Sequence, residues 1–377
     1  MSGIYIHIPF CKQACHYCDF HFSTSLKKKN EMIEAIIIEL QLRKQEYTGQ
    51  TVETIYFGGG TPSLLSNEEL QLILGAVDTH YDVIVDPEIT LEANPDDLSV
   101  TRIKALAQTP INRLSIGIQS FFDEDLKLMN RAHNSEEARK CLKEATKHFE
   151  NITVDLIYGI PGMSKERWIQ NIEEALSYNI SHISSYALTV EPKTALASFI
   201  QKGIVDNVND DEAQEHFHLL IDRLDEAGFI HYEISNFGKE GFFSKNNTAY
   251  WQGKSYLGIG PSAHSFDGHN RGWNIRNNTR YIKTINDGML PMEIEHLSVT
   301  DKYNEYIMTG LRTIWGVSLN KVEKDFGKSY KDYVLLQAQP LINEHLLYID
   351  DDKLLVTKKG KFLSDGIASD LFKLNLE

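Results

Sequence analysis

Cys11, Cys15 and Cys18 stand in the run Ile8-Pro9-Phe10-Cys11-Lys12-Gln13-Ala14-Cys15-His16-Tyr17-Cys18-Asp19-Phe20, separated by three residues and then by two. Thiolates this close in sequence can hold three corners of one metal centre, and no fourth cysteine follows in the loop. An iron–sulfur cube on four cysteines is closed, whereas a cube on three keeps one iron open for a further ligand. The same thiolates with His16 or His21 would make a Cys₃His zinc set, although structural zinc usually draws on two short knuckles rather than one. On spacing alone both centres stay open. A disulfide framework fits poorly, because the chain has four cysteines in 377 residues and three of them are bunched, which is metal or redox usage. Cys141 falls in a helical stretch and reads as a small buried apolar residue.

Further polar residues recur where apolar, β-rich runs end. The runs are 3–8, 54–57, 88–92, 113–118, 152–158 and 182–189, and the first leads straight into the cysteine loop. The second opens into Gly58-Gly59-Gly60-Thr61-Pro62, which offers a ligand backbone rather than side chains. Glu92 closes the third, Gln119 the fourth with Arg131 shortly after, and Asp155 lies inside the fifth. A carboxylate inside an apolar strand is costly unless it is paired or bonds a ligand. Helical periodicity marks 31–45, 68–79, 101–107, 136–148 and 165–178, and Ser66 with Glu69 makes a capping box. This alternation predicts an α/β fold, a partial (β/α)6 barrel of the TIM type with its chemistry at the C-terminal strand ends. A doubly wound open sheet has the same pattern, and the placement of the polar residues favours the barrel.

Length and charge narrow the class. The chain suits one barrel-sized domain and a smaller one. No run of eighteen apolar residues occurs, so no membrane span is expected. The short N-terminal run does not read as a signal peptide, and the expected location is cytoplasmic. A net charge of −15 argues against nucleic acid as a partner.

These motifs together resemble the radical S-adenosylmethionine superfamily, and more narrowly the oxygen-independent coproporphyrinogen III oxidase family. The matching segments are Tyr5-Ile6-His7-Ile8-Pro9-Phe10-Cys11, Tyr56-Phe57-Gly58-Gly59-Gly60-Thr61-Pro62, Ile116-Gly117-Ile118-Gln119-Ser120-Phe121, Asp155-Leu156-Ile157-Tyr158-Gly159-Ile160-Pro161-Gly162 and Gly258-Ile259-Gly260-Pro261-Ser262-Ala263-His264-Ser265. The resemblance implies a radical SAM barrel whose Cys11, Cys15 and Cys18 hold a [4Fe-4S] cluster, with S-adenosylmethionine on the open iron. It implies that Tyr5, Tyr17, Gly59, Gly60, Thr61, Glu92, Gln119, Arg131 and Asp155 contact that cofactor. Glu92 and Asp155 suit its sulfonium end and ribose hydroxyls, Arg131 its carboxylate and Tyr17 its adenine face.

Two branches share this framework. The oxidase, an enzyme of porphyrin biosynthesis, typically has a fourth cysteine two residues after the third, and here that place holds Phe20. The haem chaperone branch has an aromatic residue there, so the resemblance implies haem binding and transfer to an apo-haemoprotein client. Membrane contact is expected only through such a client. The decarboxylating oxidase, acting on a porphyrinogen, is the alternative, and no catalytic residue is singled out. The chaperone branch commonly shows His-Asn-x-x-Tyr-Trp where this chain has Asn246-Asn247-Thr248-Ala249-Tyr250-Trp251. Asparagine is a poor iron ligand beside imidazole. Candidate haem contacts are therefore Asn246, Asn247, Tyr250 and Trp251, with His264 and then His269 as substitute ligands.

The expected organisation is a barrel over 1–236, a bridging segment over 237–291 and a C-terminal domain over 292–377. The last has three helices and a hairpin in the manner of a winged helix. Its acids and bases nearly balance, so a lid or docking role is expected rather than DNA binding.

Overall fold

The computed structural model describes residues 3–374. Six parallel strands form its centre: β1 (Gly3–Ile8), β2 (Thr51–Gly59), β3 (Asp82–Ala93), β4 (Arg113–Gln119), β5 (Asn151–Tyr158) and β6 (His182–Ala187), hydrogen-bonded in chain order. Outer helices return the chain between them: α1 (Lys29–Arg43), α2 (Asn67–His80), α3 (Val100–Leu106), α4 (Asp123–Leu128), α5 (Ser135–Ala145) and α6 (Lys165–Ser177). Alternation explains which side faces what. Ile4, Ile6 and Ile8 are buried among the helix-side core, and Tyr5 and His7 point the other way. The capping box at Ser66 and Glu69 is present at the start of α2. The expected six-unit partial barrel is thus the observed one, and β2 and β3 extend beyond the apolar runs that announced them.

Two helices, α7 (Ala195–Gln201) and α8 (Asp210–Glu226), then precede a pair of short strands, β7 (Ile230–Glu233) and β8 (Asn236–Gly238). β8 lies antiparallel on β6 and carries β7 outside it. After α9 (Lys245–Trp251) the chain crosses to the opposite edge, where β9 (Tyr256–Ile259) pairs in parallel with β1. β10 (His264–Phe266), β11 (Asn270–Asn274) and, after α10 (Asn278–Asn286), β12 (Met292–His296) complete a twelve-stranded sheet. The stretch 237–291 is therefore not a bridge between two units. It widens the barrel sheet on both edges, and Leu257, Ile259, Tyr281 and Ile285 belong to the barrel core.

A buried polar cluster ties that extension down. Glu39 of α1 accepts from Gly260 N (2.8 Å), Tyr281 Oη (2.5 Å) and Asn274 Nδ2 (2.7 Å). Arg43, one turn on, donates to Gly258 O (2.8 Å) and Ser265 Oγ (3.2 Å). Each residue of the cluster makes at least one of these bonds, while the buried Oδ1 of Asn274 has no partner among the described residues, so the network is nearly rather than fully satisfied.

The C-terminal unit begins after β12. Helices α11 (Val299–Leu311), α12 (Leu319–Phe326), α13 (Lys328–Asn343) and α14 (Ser364–Asp370) surround a small sheet of β13 (Val317–Ser318), β14 (Leu347–Asp350) and β15 (Lys353–Val356). It has its own core around Tyr303, Ile307, Val334 and Leu347. The helices and hairpin lie where the sequence pattern put them. No helix among the described residues is long and apolar enough to cross a membrane.

Candidate cofactor site

Strand register assembles the site. On the concave side of the sheet, Tyr5 lies opposite Tyr56 and His7 opposite Gly58, Thr90 lies between Tyr56 and Arg113, and Glu92 pairs with Ser115. Asp155 and Ser184 continue the row on β5 and β6. The row is polar because a six-stranded barrel is too open to be filled with apolar side chains. Tyr186 at the end of β6 keeps 45% of its surface exposed although burial pushes its phenol up, which describes a wetted cleft rather than a packed core.

Glu92 accepts from Tyr56 Oη (2.8 Å) and Gly59 N (3.1 Å), and Asp155 accepts from Ser115 Oγ (3.2 Å). Among the described residues neither carboxylate has an ion-pair partner. Burial pushes both up to about 7, against the pull of these hydrogen bonds, and each repels the other. Two carboxylates held this way are stabilised by any cation that enters between them.

The cysteine loop leaves β1 and is fastened at several points. Ser23 N donates to Pro9 O (2.9 Å), Cys11 N to Ser23 O (3.1 Å) and His16 N to Met129 O (3.0 Å). Asn130, in the left-handed region at φ 57°, donates from Nδ2 to Ala14 O (2.7 Å) and receives Gln13 Nε2. The glycines prove to serve this loop rather than merely to leave room for a ligand. Gly60 N donates to Ile8 O at 2.9 Å, and a Cβ on Gly60 would stand 2.6 Å from Phe10 O. A Cβ on Gly59, at φ 106°, would press into the His7 ring at 2.5 Å.

All three loop cysteines are free and half-buried. Burial pushes the Cys11 thiol up to about 11 despite a hydrogen bond with Thr61, so it ionises readily only against a positive centre. Arg131 reaches Cys15 Sγ (3.3 Å) and Tyr17 Oη (3.3 Å) through Nη1, and Asn94 Oδ1 (2.5 Å) and Gly117 O (3.0 Å) through Nη2. Its buried Nε has no partner among the described residues. Gln119 closes β4 in the left-handed region at φ 66°, a conformation that costs a non-glycine residue roughly 1–3 kcal/mol and clusters at binding sites.

Two metal centres were open on spacing, and the local geometry separates them. His16 Nδ1 is engaged with Leu128 O (2.8 Å) and His21 Nε2 with Asn278 Oδ1 (2.7 Å), contacts that orient each ring and leave its other nitrogen open, so the convergence of the side chains decides between the two centres. Among the described residues no three His, Cys, Asp or Glu side chains converge on a single-ion site. Three thiols spread along one loop, with an arginine against one of them, fit the wider corners of an iron–sulfur cube. The unpaired carboxylates, the unspent Arg131 Nε and the aromatic walls of Tyr5 and Tyr17 fit a zwitterionic sulfonium cofactor beside it.

The expected cluster and cofactor residues thus share one end of the barrel. The expected haem contacts do not. Asn246, Asn247, Tyr250 and Trp251 lie on α9, which closes the other end of the barrel, near the starts of β1 and β2. There Glu88 accepts from Lys245 N (3.0 Å) and Asn246 N (3.1 Å). Asn246 is 2% exposed and its Oδ1 accepts from Thr54 Oγ1 (3.0 Å), which leaves it no open face toward a ligand. Tyr250 packs edge-on to Tyr256 at 4.4 Å, and Trp251 lies under the Arg312 guanidinium of the C-terminal unit at 5.2 Å. His264 is elsewhere, exposed on β10 beside Trp273. Sequence reasoning missed Tyr56, Ser115 and Asn94. Alternation in β2 and β4 signals the first two, and nothing local signals the third, whose partner Arg131 lies 37 residues on.

Residues 5–175 match the radical SAM superfamily and residues 297–363 the HemN C-terminal domain. The chain is 35% identical to a protein named heme chaperone HemW from Lactococcus lactis, over 97% of this chain and 96% of that one. It is 33% identical to a heme chaperone HemW from Bacillus subtilis, over 97% and 98%. Among solved structures, the coproporphyrinogen III oxidase HemN from Escherichia coli superposes with a TM-score of 0.85 over 99% of this chain and 90% of that one. At 22% identity, that likeness shows a common fold.

Proposed function

The chain belongs to the haem chaperone family of the radical SAM superfamily, and from that membership we propose that it binds haem and passes it to an apo-haemoprotein. Cys11, Cys15 and Cys18 hold the resident [4Fe-4S] cluster in this reading. When bound, the cluster supplies one-electron chemistry and an open iron for the amino and carboxylate groups of S-adenosylmethionine. The protein's part is charge, orientation and exclusion of water. Glu92 and Asp155 would face the cofactor's positive groups and be favoured as carboxylates, Arg131 would offer its unspent Nε to the cofactor's carboxylate, and Tyr5 and Tyr17 would wall the adenosyl portion. Gly59, Gly60, Thr61 and Gln119 line the approach.

The observation that carries the chaperone reading over the oxidase is at residue 20. The position two residues beyond Cys18 holds Phe20, 69% exposed, where an oxidase typically has its extra cysteine. The test is anaerobic reconstitution followed by two assays on one preparation. Haem should bind at about one equivalent per chain, and coproporphyrinogen III should not be decarboxylated when reductant and S-adenosylmethionine are present. Sustained porphyrinogen turnover would replace this reading with the enzymatic one.

A further inference from the structure

The concave face of the barrel does not end at β1. In β10, Ser265 points toward α1, where Arg43 donates to it, so His264 and Phe266 face the concave side. In β11, Asn274 points toward Glu39 of α1, so Arg271 and Trp273 face the concave side too. His264 and Trp273 are direct cross-strand partners, with ring centroids 6.0 Å apart. Phe266 lies opposite Tyr256 of β9, which itself pairs beside β1. The antiparallel extension therefore carries an aromatic and histidine surface outward from the cluster end of the barrel.

His264 differs from the other histidines that the strands turn inward. His7 is engaged with Tyr5 Oη (3.2 Å) and His21 O (3.0 Å), and His182 with Thr153 Oγ1 (3.0 Å) and Tyr232 Oη (2.8 Å). The ring of His264 is exposed and has no hydrogen-bond partner among the described residues. Partial burial and the neighbouring Arg271 lower its pKa, which favours the neutral imidazole that coordinates a metal. The charge around it is mixed: Arg271 lies alongside, paired at 2.7 Å with Glu305 and opposite Glu295, Glu293 lies opposite Trp273, and the exposed Arg276 clasps the backbone of Asp19 beside Phe20. By contrast, α9 offers no ligand, since Asn246 is sealed against Thr54.

Resting on the chaperone reading above, we propose that the cargo haem seats on this β10–β11 surface, with His264 as an axial ligand to its iron and Trp273 packed against the ring beside it. The carboxylates of the haem then lie toward Arg276, whose guanidinium meets a backbone oxygen rather than a carboxylate. Only the cargo's iron is ligated here, and no covalent or redox step is involved. The seat places haem at the same end of the barrel as the cysteine loop and Phe20, on a surface open to a client.

The full chain, with its cluster reconstituted, is titrated anaerobically with haem while absorption and electron paramagnetic spectra are recorded. His264→Ala should shift the Soret band, abolish the nitrogen-ligand signature and raise the dissociation constant at least about tenfold, since even the partners behind a metal ligand are worth that much. Added imidazole should restore the wild-type spectrum of that variant. Trp273→Leu should weaken binding while keeping the ligand signature, and His269→Ala should change neither. Iron content and far-ultraviolet dichroism, which report the cluster and the fold, should stay unchanged throughout. If wild type and His264→Ala bind haem with the same spectrum and affinity, this seat is wrong and the chaperone reading stands. If wild type binds no haem at all, both fail.

Discussion

Replacing Glu92 by Gln should make the cofactor-free barrel more stable at alkaline pH and no more stable in acid. Burial moves this carboxyl from 4.5 to about 7, and at about 1.36 kcal/mol per pH unit that amounts to about 3 kcal/mol held against the folded chain. The sign follows from proton binding. Between pH 4.5 and about 7 the folded chain keeps a proton that the unfolded chain has released, so stability falls as the pH rises through that window. Above it, the whole cost stands. Gln carries no charge, but it satisfies only one of the two donors now on the carboxylate, Tyr56 Oη and Gly59 N, at a cost of about 1 kcal/mol. The variant should therefore be about 2 kcal/mol more stable than wild type at pH 8 and about 1 kcal/mol less stable near pH 4.5. Urea denaturation of the full chain, with its cluster loaded and S-adenosylmethionine withheld, reads both ends of the window. Adding S-adenosylmethionine at pH 8 should stabilise wild type more than the variant, because the cation favours the ionised carboxylate. Denaturation curves whose separation is the same at both pH values would refute the reasoning, since they would mean that Glu92 is not a strained, titrating group.

Cys11→Ala, Cys15→Ala and Cys18→Ala should each lose the cluster's iron and its charge-transfer absorption, whereas Cys141→Ala, a change on the buried face of α5, should keep both. Gly60→Ala should press a methyl group into the backbone of Ile8 and Phe10, costing about 1–3 kcal/mol and slowing cluster reconstitution, both measurable on one preparation by denaturation and iron release. Glu39→Ala should leave Arg43 paired with Glu46 but release Gly260, Asn274 and Tyr281, a loss of about 1–3 kcal/mol for each buried donor left without its acceptor. Hydrogen exchange should then rise across β9 to β11, and an unchanged exchange pattern there would show that the cluster does not anchor the extension.

What could be read from the sequence follows physical range. The cysteine loop, the glycine run and the carboxylates at strand ends were legible because each is a local departure from an apolar β pattern, and the register of parallel strands then brings strand ends together without further instruction. The zinc alternative needed the structure, since only the placement of the side chains shows that no three His, Cys, Asp or Glu converge on one ion among the described residues. The segment 237–291 was opaque for another reason. Its strands are three to five residues long and rich in Gly and Asn, and their outward sides carry Ser265 and Asn274 where an apolar residue would have announced a core. Those polar residues are correct there because Glu39 and Arg43, more than two hundred residues earlier, wait under them. A pattern that depends on partners so distant has no local periodicity to detect.

α9 and His264 differ in how much of their role is local in sequence. Asn246, Asn247, Tyr250 and Trp251 stand where the resembling family shows His-Asn-x-x-Tyr-Trp, with asparagine in the place of the histidine. Yet the helix puts them to structural use. Asn246 fastens the starts of β1 and β2, and Trp251 receives Arg312 from the C-terminal unit. His264 carries no such local context. Its significance is that the strand beside it supplies Trp273, and that every hydrogen bond which would have occupied its ring is missing. An exposed histidine without a partner is compatible with a plain surface residue as well as with a ligand. The indole of Trp273 directly across the strand pair is what the ligand reading adds, and the imidazole rescue of His264→Ala decides between the two.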